Sequence, residues 1–219
     1  MSAVHLIAPQ PDQEPAPHPG HNGHRRQPPV VDGLRPVDLA AAERAVADLL
    51  TALGQDTSSE HLRDTPRRVA AAYAELLTPV QFNPTTFPND EGYDGLVLAR
   101  AIPFSSLCQH HLLPFSGFAH VGYLPGDRLL GLSKLARVVQ LFARRLQVQE
   151  RLTKQVADWI QQRLEPAGVG VVLEAEHTCM SLRGVRAGGS RTVTSTLYGT
   201  LRDDPRSRQE LFACAGAVT

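Results

Sequence analysis

The chain has 219 residues, 42% of them hydrophobic, with 22 basic side chains balanced by 22 acidic ones. That length suggests one domain with room for an extra helical segment or tail, and the apolar share is enough for a core. Zero formal charge argues against general binding of nucleic acid or an anionic membrane, and no run approaches the roughly 18 apolar residues of a membrane span.

Residues 1 to about 33 are rich in Pro, Gly, Gln and His without apolar periodicity, and are expected to be a disordered tail. His18, His21 and His24 fall every third residue there; a solvated tail is the plainer reading than an accessory metal site. The start lacks a basic region followed by an apolar one, so no signal peptide is expected. From Pro36 a helical pattern begins, with Leu39, Val46, Leu49, Leu50 and Leu53 on one face and Gly54 as its stop. A second helix is predicted over 66–77, capped by Asp64 or Thr65, with Pro66 in its first turn and Val69, Tyr73, Leu76 and Leu77 on its apolar face. Residues 78–95 read as loop. Strand-like runs at 96–106 and 117–124 flank a turn ending at Pro114.

Ser133 is the expected N-cap of a helix over 134–146, with Leu135, Val138, Val139 and Phe142 facing inward. Another helix, about 150–164, spaces Leu152, Val156, Trp159, Ile160 and Leu164 on one side, with Trp159 as core. After Gly168 the period changes to two. Val169, Val171, Leu173, Ala175, His177 and Cys179 alternate onto one face, which would set His177 and Cys179 side by side at a strand end. A β-prone run covers 191–201, and a short helix from Pro205 to Phe212 closes the fold. Strand pairs flanking a helix pair, without regular βαβ alternation, predict an α+β fold with an antiparallel sheet.

The chemistry concentrates in Cys108-Gln109-His110-His111 and His177-Thr178-Cys179. Cys108 and His111, three apart, can reach one ion from a single turn, and Cys179 can add a third ligand. Zinc favours such sulfur and nitrogen sets, and three protein ligands leave a position open for water. His110 and His177 are then available as proton carriers, since imidazole titrates near neutrality. Spacing leaves open a closed structural site that also uses His110 or His177. Three cysteines do not suggest a disulfide framework; a reducing cytoplasm is the expected compartment, and Cys214 reads as a free thiol.

An anion-binding set is also visible. Lys134 and Arg137 share a face at the start of one helix, whose N-terminal N–H groups favour anions. Arg183 follows the second cluster and Arg68 sits on the earlier helix. Together they could hold a polyphosphate, against the ordinary reading of solvated surface charge.

Several stretches, in order, resemble the type I GTP cyclohydrolase family: DTPRRVAAAY, SLCQHHLLPF, GLSKLARVVQLFARRLQVQERLT and EAEHTCMSLRGVRAGGSRTVTSTLYG. The resemblance runs from about residue 38 to 212. It implies a tunnelling (T) fold over 96–219, preceded by a helical segment and loop over 34–95. It also implies one zinc per subunit, a homo-oligomer that is typically a decamer, and active sites at subunit interfaces. The implied reaction turns GTP and water into 7,8-dihydroneopterin triphosphate and formate, the first step of pterin and tetrahydrofolate biosynthesis. Cys108, His111 and Cys179 would ligate zinc, and His110 and His177 would move protons during opening of the purine at C8. Ser133 matches a residue near the ribose. Glu150 matches the carboxylate that reads the guanine N1–H and 2-amino donors, an acceptor-only group facing a donor edge, and Gln149 lies in the same base-binding segment. Lys134, Arg137, Arg183 and Arg68 match triphosphate contacts, Arg68 from a neighbouring subunit.

Two positions depart from the family. Gln109 stands where Glu is frequent, and Ala71 where relatives often carry Lys or Arg. Among rivals, a zinc nucleoside deaminase would need a Cys-x-x-Cys that is missing here. A zinc-stabilised assembly protein would need neither Glu150 nor the two spare histidines. A T-fold nitrile reductase or pterin synthase fits poorly with the intact Cys/His/Cys set and the GLSK…QVQERLT block.

Overall fold

In the computed structural model of the chain, the structure describes residues 36–216. The segment expected to be a disordered tail, with His18, His21 and His24, lies outside them. Helix α1 (Leu39–Ala52) is capped by the Asp38 carboxylate, which accepts from the Ala41 amide at 2.9 Å. It buries none of its residues, and Leu39, Leu49 and Leu53 are each more than half exposed, so its expected apolar stripe is not covered within this chain. Helix α2 (Thr65–Leu76) opens on Pro66, as expected. Asp64 occupies the cap position without a side-chain capping bond, and its carboxylate instead pairs with Arg68, one helical turn on.

The expected loop over 78–95 contains a short strand, β1 (Thr86–Pro88), which pairs antiparallel with β4 (Arg128–Leu130). Arg128 fastens the pair, its Nε donating to Thr86 Oγ1 at 2.8 Å. The remaining strands form one five-stranded sheet: β2 (Val97–Cys108), β3 (Pro114–Leu124), β5 (Leu146–Gln147), β6 (Gly168–His177) and β7 (Thr192–Gly199), in the order β5-β2-β3-β6-β7. Every pairing is antiparallel except that of β5, which runs parallel to the last two residues of β2. The architecture is α+β, as expected.

One face of the sheet carries the core. Ala119, Val121 and Tyr123 on β3, with Val169, Val171, Leu173 and Ala175 on β6, pack under α3 (Leu132–Ala143) and α4 (Gln149–Leu164). Leu135, Val138 and Val139 answer from α3, and Leu152, Val156 and Ile160 from α4, all with no solvent exposure. At about 1.5–3 kcal/mol per fully buried large apolar side chain, this layer is the main stabilising element. The opposite face is partly covered by α7 (Pro205–Ala215), which follows the single turn α6 (Thr200–Asp203) and is capped by Asp204. Its Leu211 sits over Gly122 and Gly170, which face each other across β3 and β6, where a Cβ on Gly170 would collide with it.

Three expectations need correction. Ser133 is not a helix cap: Gly131 takes that position because the chain passes straight from β4 into α3, and Ser133 lies inside the first turn. Helix α3 ends at Ala143 rather than 146, since Leu146 and Gln147 are drawn into strand pairing with β2. The alternation of β6 stops at His177, and Cys179 lies in a helical turn, α5 (Thr178–Ser181). His177 and Cys179 are therefore not neighbours on one strand face.

Candidate metal and catalytic site

The C-terminal end of β2 delivers Cys108, and the chain turns back at once into β3. Cys108 N–H donates to the Leu113 carbonyl at 2.8 Å, and the Leu112 amide returns to the Cys108 carbonyl at 2.9 Å. Leu112 takes a left-handed φ of 57° to close the turn. Its carbonyl accepts from Tyr73 Oη on α2 at 2.9 Å, and the Gln109 amide donates to the Gln147 carbonyl at 2.9 Å. So the turn is tied to α2 at one end and β5 at the other.

This geometry places His111 Nδ1 3.7 Å from Cys108 Sγ. In the second segment Thr178 Oγ1 donates to the Pro114 carbonyl at 2.5 Å, holding α5 against the end of the turn. Cys179 is thereby brought to the pair, and the ligand atoms of Cys108, His111 and Cys179 all lie within 4.8 Å of one another. Tetrahedral zinc, with bonds of about 2.3 Å to sulfur and about 2.0–2.1 Å to nitrogen, requires a sulfur–nitrogen edge of about 3.6 Å. The Cys108–His111 separation already meets that edge, and Cys179 needs only a small approach. Burial pushes the Cys179 thiol up, the adjacent Cys108 adds to the effect, and Arg183 offsets part of it. A cation between the sulfurs removes that conflict, so the donor set fits a divalent metal.

His110 stands exposed beside the cluster, its ring 6.2 Å from that of His111. His177 is the last residue of β6, stacked on Phe115 at 4.6 Å with the rings nearly parallel. Its Nε2 is 2.8 Å from Gln149 Oε1. Gln149 is 1% exposed, and its Nε2 faces three acceptors: the Leu173 carbonyl at 3.2 Å, the Thr192 carbonyl at 2.9 Å and Thr194 Oγ1 at 3.1 Å. That network assigns the amide orientation. His177 therefore presents an N–H at Nε2 and keeps Nδ1 for other partners. Burial pushes the His177 imidazole down, and Glu150, exposed on the first turn of α4, partly opposes this. Gln149 spends its side chain on His177 and the sheet.

The structure thus gathers Cys108, His111, Cys179, His110, His177, Gln149 and Glu150, with Arg183 near enough to act on Cys179. Ser133, Lys134 and Arg137 stand in the first turns of α3, and Arg68 on α2 pairs with Asp64 at 3.3 Å. Sequence reasoning missed Phe115, Tyr73, Thr178 and Arg151. Their signal is absent from local patterning because each acts through a partner far along the chain.

The sequence model of the GTP cyclohydrolase I family matches residues 42–216. A GTP cyclohydrolase 1 of Mycobacteroides abscessus is 52% identical over 180 residues, 80% of this chain and 88% of that protein. The protein of the same name from Mycolicibacterium vanbaalenii is 53% identical, covering 79% of this chain and 88% of its own length. That of Streptomyces avermitilis is 51% identical over 196 residues, 85% of this chain and 96% of the relative. With a family match across most of its length and half-identical relatives nearly as long as the region they share, the chain belongs to the GTP cyclohydrolase I family.

Proposed function

We propose that this chain is a zinc-dependent GTP cyclohydrolase I, hydrolysing GTP at purine C8 to give 7,8-dihydroneopterin triphosphate and formate. The observation that carries the reading is the three-ligand cluster of Cys108, His111 and Cys179, with His177 oriented beside it by a buried glutamine. When bound, zinc supplies Lewis-acid activation of water at neutral pH. The chain's own residues do the rest. Glu150 accepts from the N1–H and 2-amino groups of guanine, fixing the base and excluding adenine, which lacks that donor pair. Gln149 belongs to the same base-binding segment and holds His177, whose free Nδ1 exchanges a proton with the purine as the imidazole ring opens. His110 is the second proton carrier, and Ser133 lies near the ribose. Lys134, Arg137 and Arg183 take the triphosphate, with Arg68 contributed by a neighbouring subunit of a homo-oligomer, a decamer in this reading. The product enters pterin and tetrahydrofolate synthesis in the cytoplasm. Among the described residues, no helix is long and apolar enough to cross a membrane.

The test is direct. Purified full-length protein with GTP should release formate and give oxidisable pterin fluorescence, both lost on chelation and restored by zinc. Zinc-loaded protein that leaves GTP intact overturns the activity. The shared site is tested by dissociating inactive His177→Ala and Arg68→Ala proteins and reassembling them together. Partial recovery is expected, and none in verified hybrids defeats it.

A further inference from the structure

We propose that Arg151 is a positioning residue for the metal site, clamping the turn that carries His110 and His111 to α4 through the Gln109 side chain. The guanidinium makes three contacts. Nη2 donates to Gln109 Oε1 at 2.7 Å and to the Leu146 carbonyl at 2.6 Å, and Nε donates to Gln147 Oε1 at 2.9 Å. The base of this clamp is itself fixed. Gln147 is 1% exposed, and its Nε2 donates to the Phe142 carbonyl and to Gln155 Oε1, both at 2.8 Å. Its amide oxygen is therefore held toward Arg151. The β5 backbone completes the frame, with Gln147 accepting from the Gln109 amide and pairing with Cys108 across the sheet edge.

Gln109 has Cys108 on one side and His110 and His111 on the other. Fixing its side chain fixes where the next two imidazoles leave the turn. Arg151 directly follows Glu150, so one residue links the metal turn to the first turn of α4. A planar fork with several donors suits three acceptors in different directions, which a lysine ammonium reaches less well. The acceptors are neutral oxygens. Arg145 stands near, its guanidinium over the Phe142 ring at 5.3 Å and pushed down by burial and by the charge of Arg151, with Nε and Nη2 buried without a hydrogen-bond partner. The neighbourhood is thus positively charged, and the clamp closes on the dipole of Gln109. A carboxylate in that position would close it with an ion pair, a stronger hydrogen bond.

The inference rests on the reading that Cys108, His111 and Cys179 hold zinc, so zinc affinity is measured first, on the full-length protein by competition with a chromophoric chelator. Gln109→Ala and Arg151→Ala are each expected to weaken zinc by about 10–100-fold, as for other groups that orient metal ligands. The double variant should be no weaker than the worse single one, because both remove the same clamp. Gln109→Glu should hold zinc at least as tightly as the parent, and only while Arg151 is present. Gln109→Ala should lower kcat with little change in KM for GTP. A parent that binds no zinc overturns the metal reading and this inference with it. A parent that binds zinc, with Gln109→Ala and Arg151→Ala either unchanged in affinity or additive in their losses, overturns the clamp alone.

Discussion

Between Cys108 and Leu113 the chain is fastened from several sides: β5 holds the Gln109 amide, α4 its side chain and α2 the Leu112 carbonyl, while the Cys108 amide closes the turn on the Leu113 carbonyl. Beyond His177 the second segment has the Thr178 hydroxyl on the Pro114 carbonyl, and then passes into a stretch where Leu182 and Val185 are nearly three-quarters exposed. One segment is a braced frame that presents Cys108 and His111; the other brings Cys179 across a narrow bridge. The contrast implies that the precision of the site is set by how α5 docks onto the turn.

The largest effect expected is removal of a sulfur on either side. Cys108→Ser and Cys179→Ser should both lose metal and turnover together, because a neutral hydroxyl replaces thiolate poorly. A full complement of zinc with normal turnover in either variant would remove that cysteine from the ligand set. Next, His177→Ala should keep zinc and bind GTP while kcat drops by about 10²–10⁴-fold, the usual contribution of a general acid–base group. Loss of zinc in this variant would make His177 a fourth ligand. Glu150→Gln turns an acceptor into a donor facing donors, at roughly 1–3 kcal/mol, more where charge is involved. The loss should fall on kcat/KM for GTP with metal content unchanged. The smallest effects sharpen the contrast itself. Thr178→Val should destabilise the docking of α5 by about 1 kcal/mol, seen as weaker zinc retention, whereas Tyr73→Phe, which cuts one of several ties on the braced side, should do less. The reverse order would show that α2 sets the site.

What could be read from the sequence was what depends on near neighbours. The helix over 149–164 announces itself through Leu152, Val156, Ile160 and Leu164, and Pro66 marks the start of α2 correctly. Cys108 and His111 were legible because one turn sets their distance. Alternation carries no signal for the point where pairing ends, so the strand expected to reach Cys179 stops at His177, opposite Phe115; the next β3 residue, Pro114, has no N–H to continue the ladder. Ser133 suits a cap by residue type, yet β4, paired with β1, leads directly into a helix that starts at Leu132. The β1–β4 pair was missed because three residues ending in Pro88 carry too little period to register. Gln149 as the partner of His177 was invisible, since its acceptors on β6 and β7 come from 24 to 45 residues away.

The distribution of ligands along the chain also bears on how the protein folds. Cys108 and His111 can meet an ion in a chain with almost no tertiary structure. In the folded chain Cys179 meets them just past the end of the β3–β6 register, which runs from Leu124 opposite Gly168 to Phe115 opposite His177. Closing that long-range pairing is the slow kind of step, because chain entropy is lost before contacts repay it. An ion held by Cys108, His111 and Cys179 together would therefore favour the closed register. An ion bound at about 1,000 times its dissociation constant would deepen the native basin by about 4 kcal/mol, less whatever the unfolded chain recovers with its two local ligands. Metal release and strand separation thus become two readings of one equilibrium.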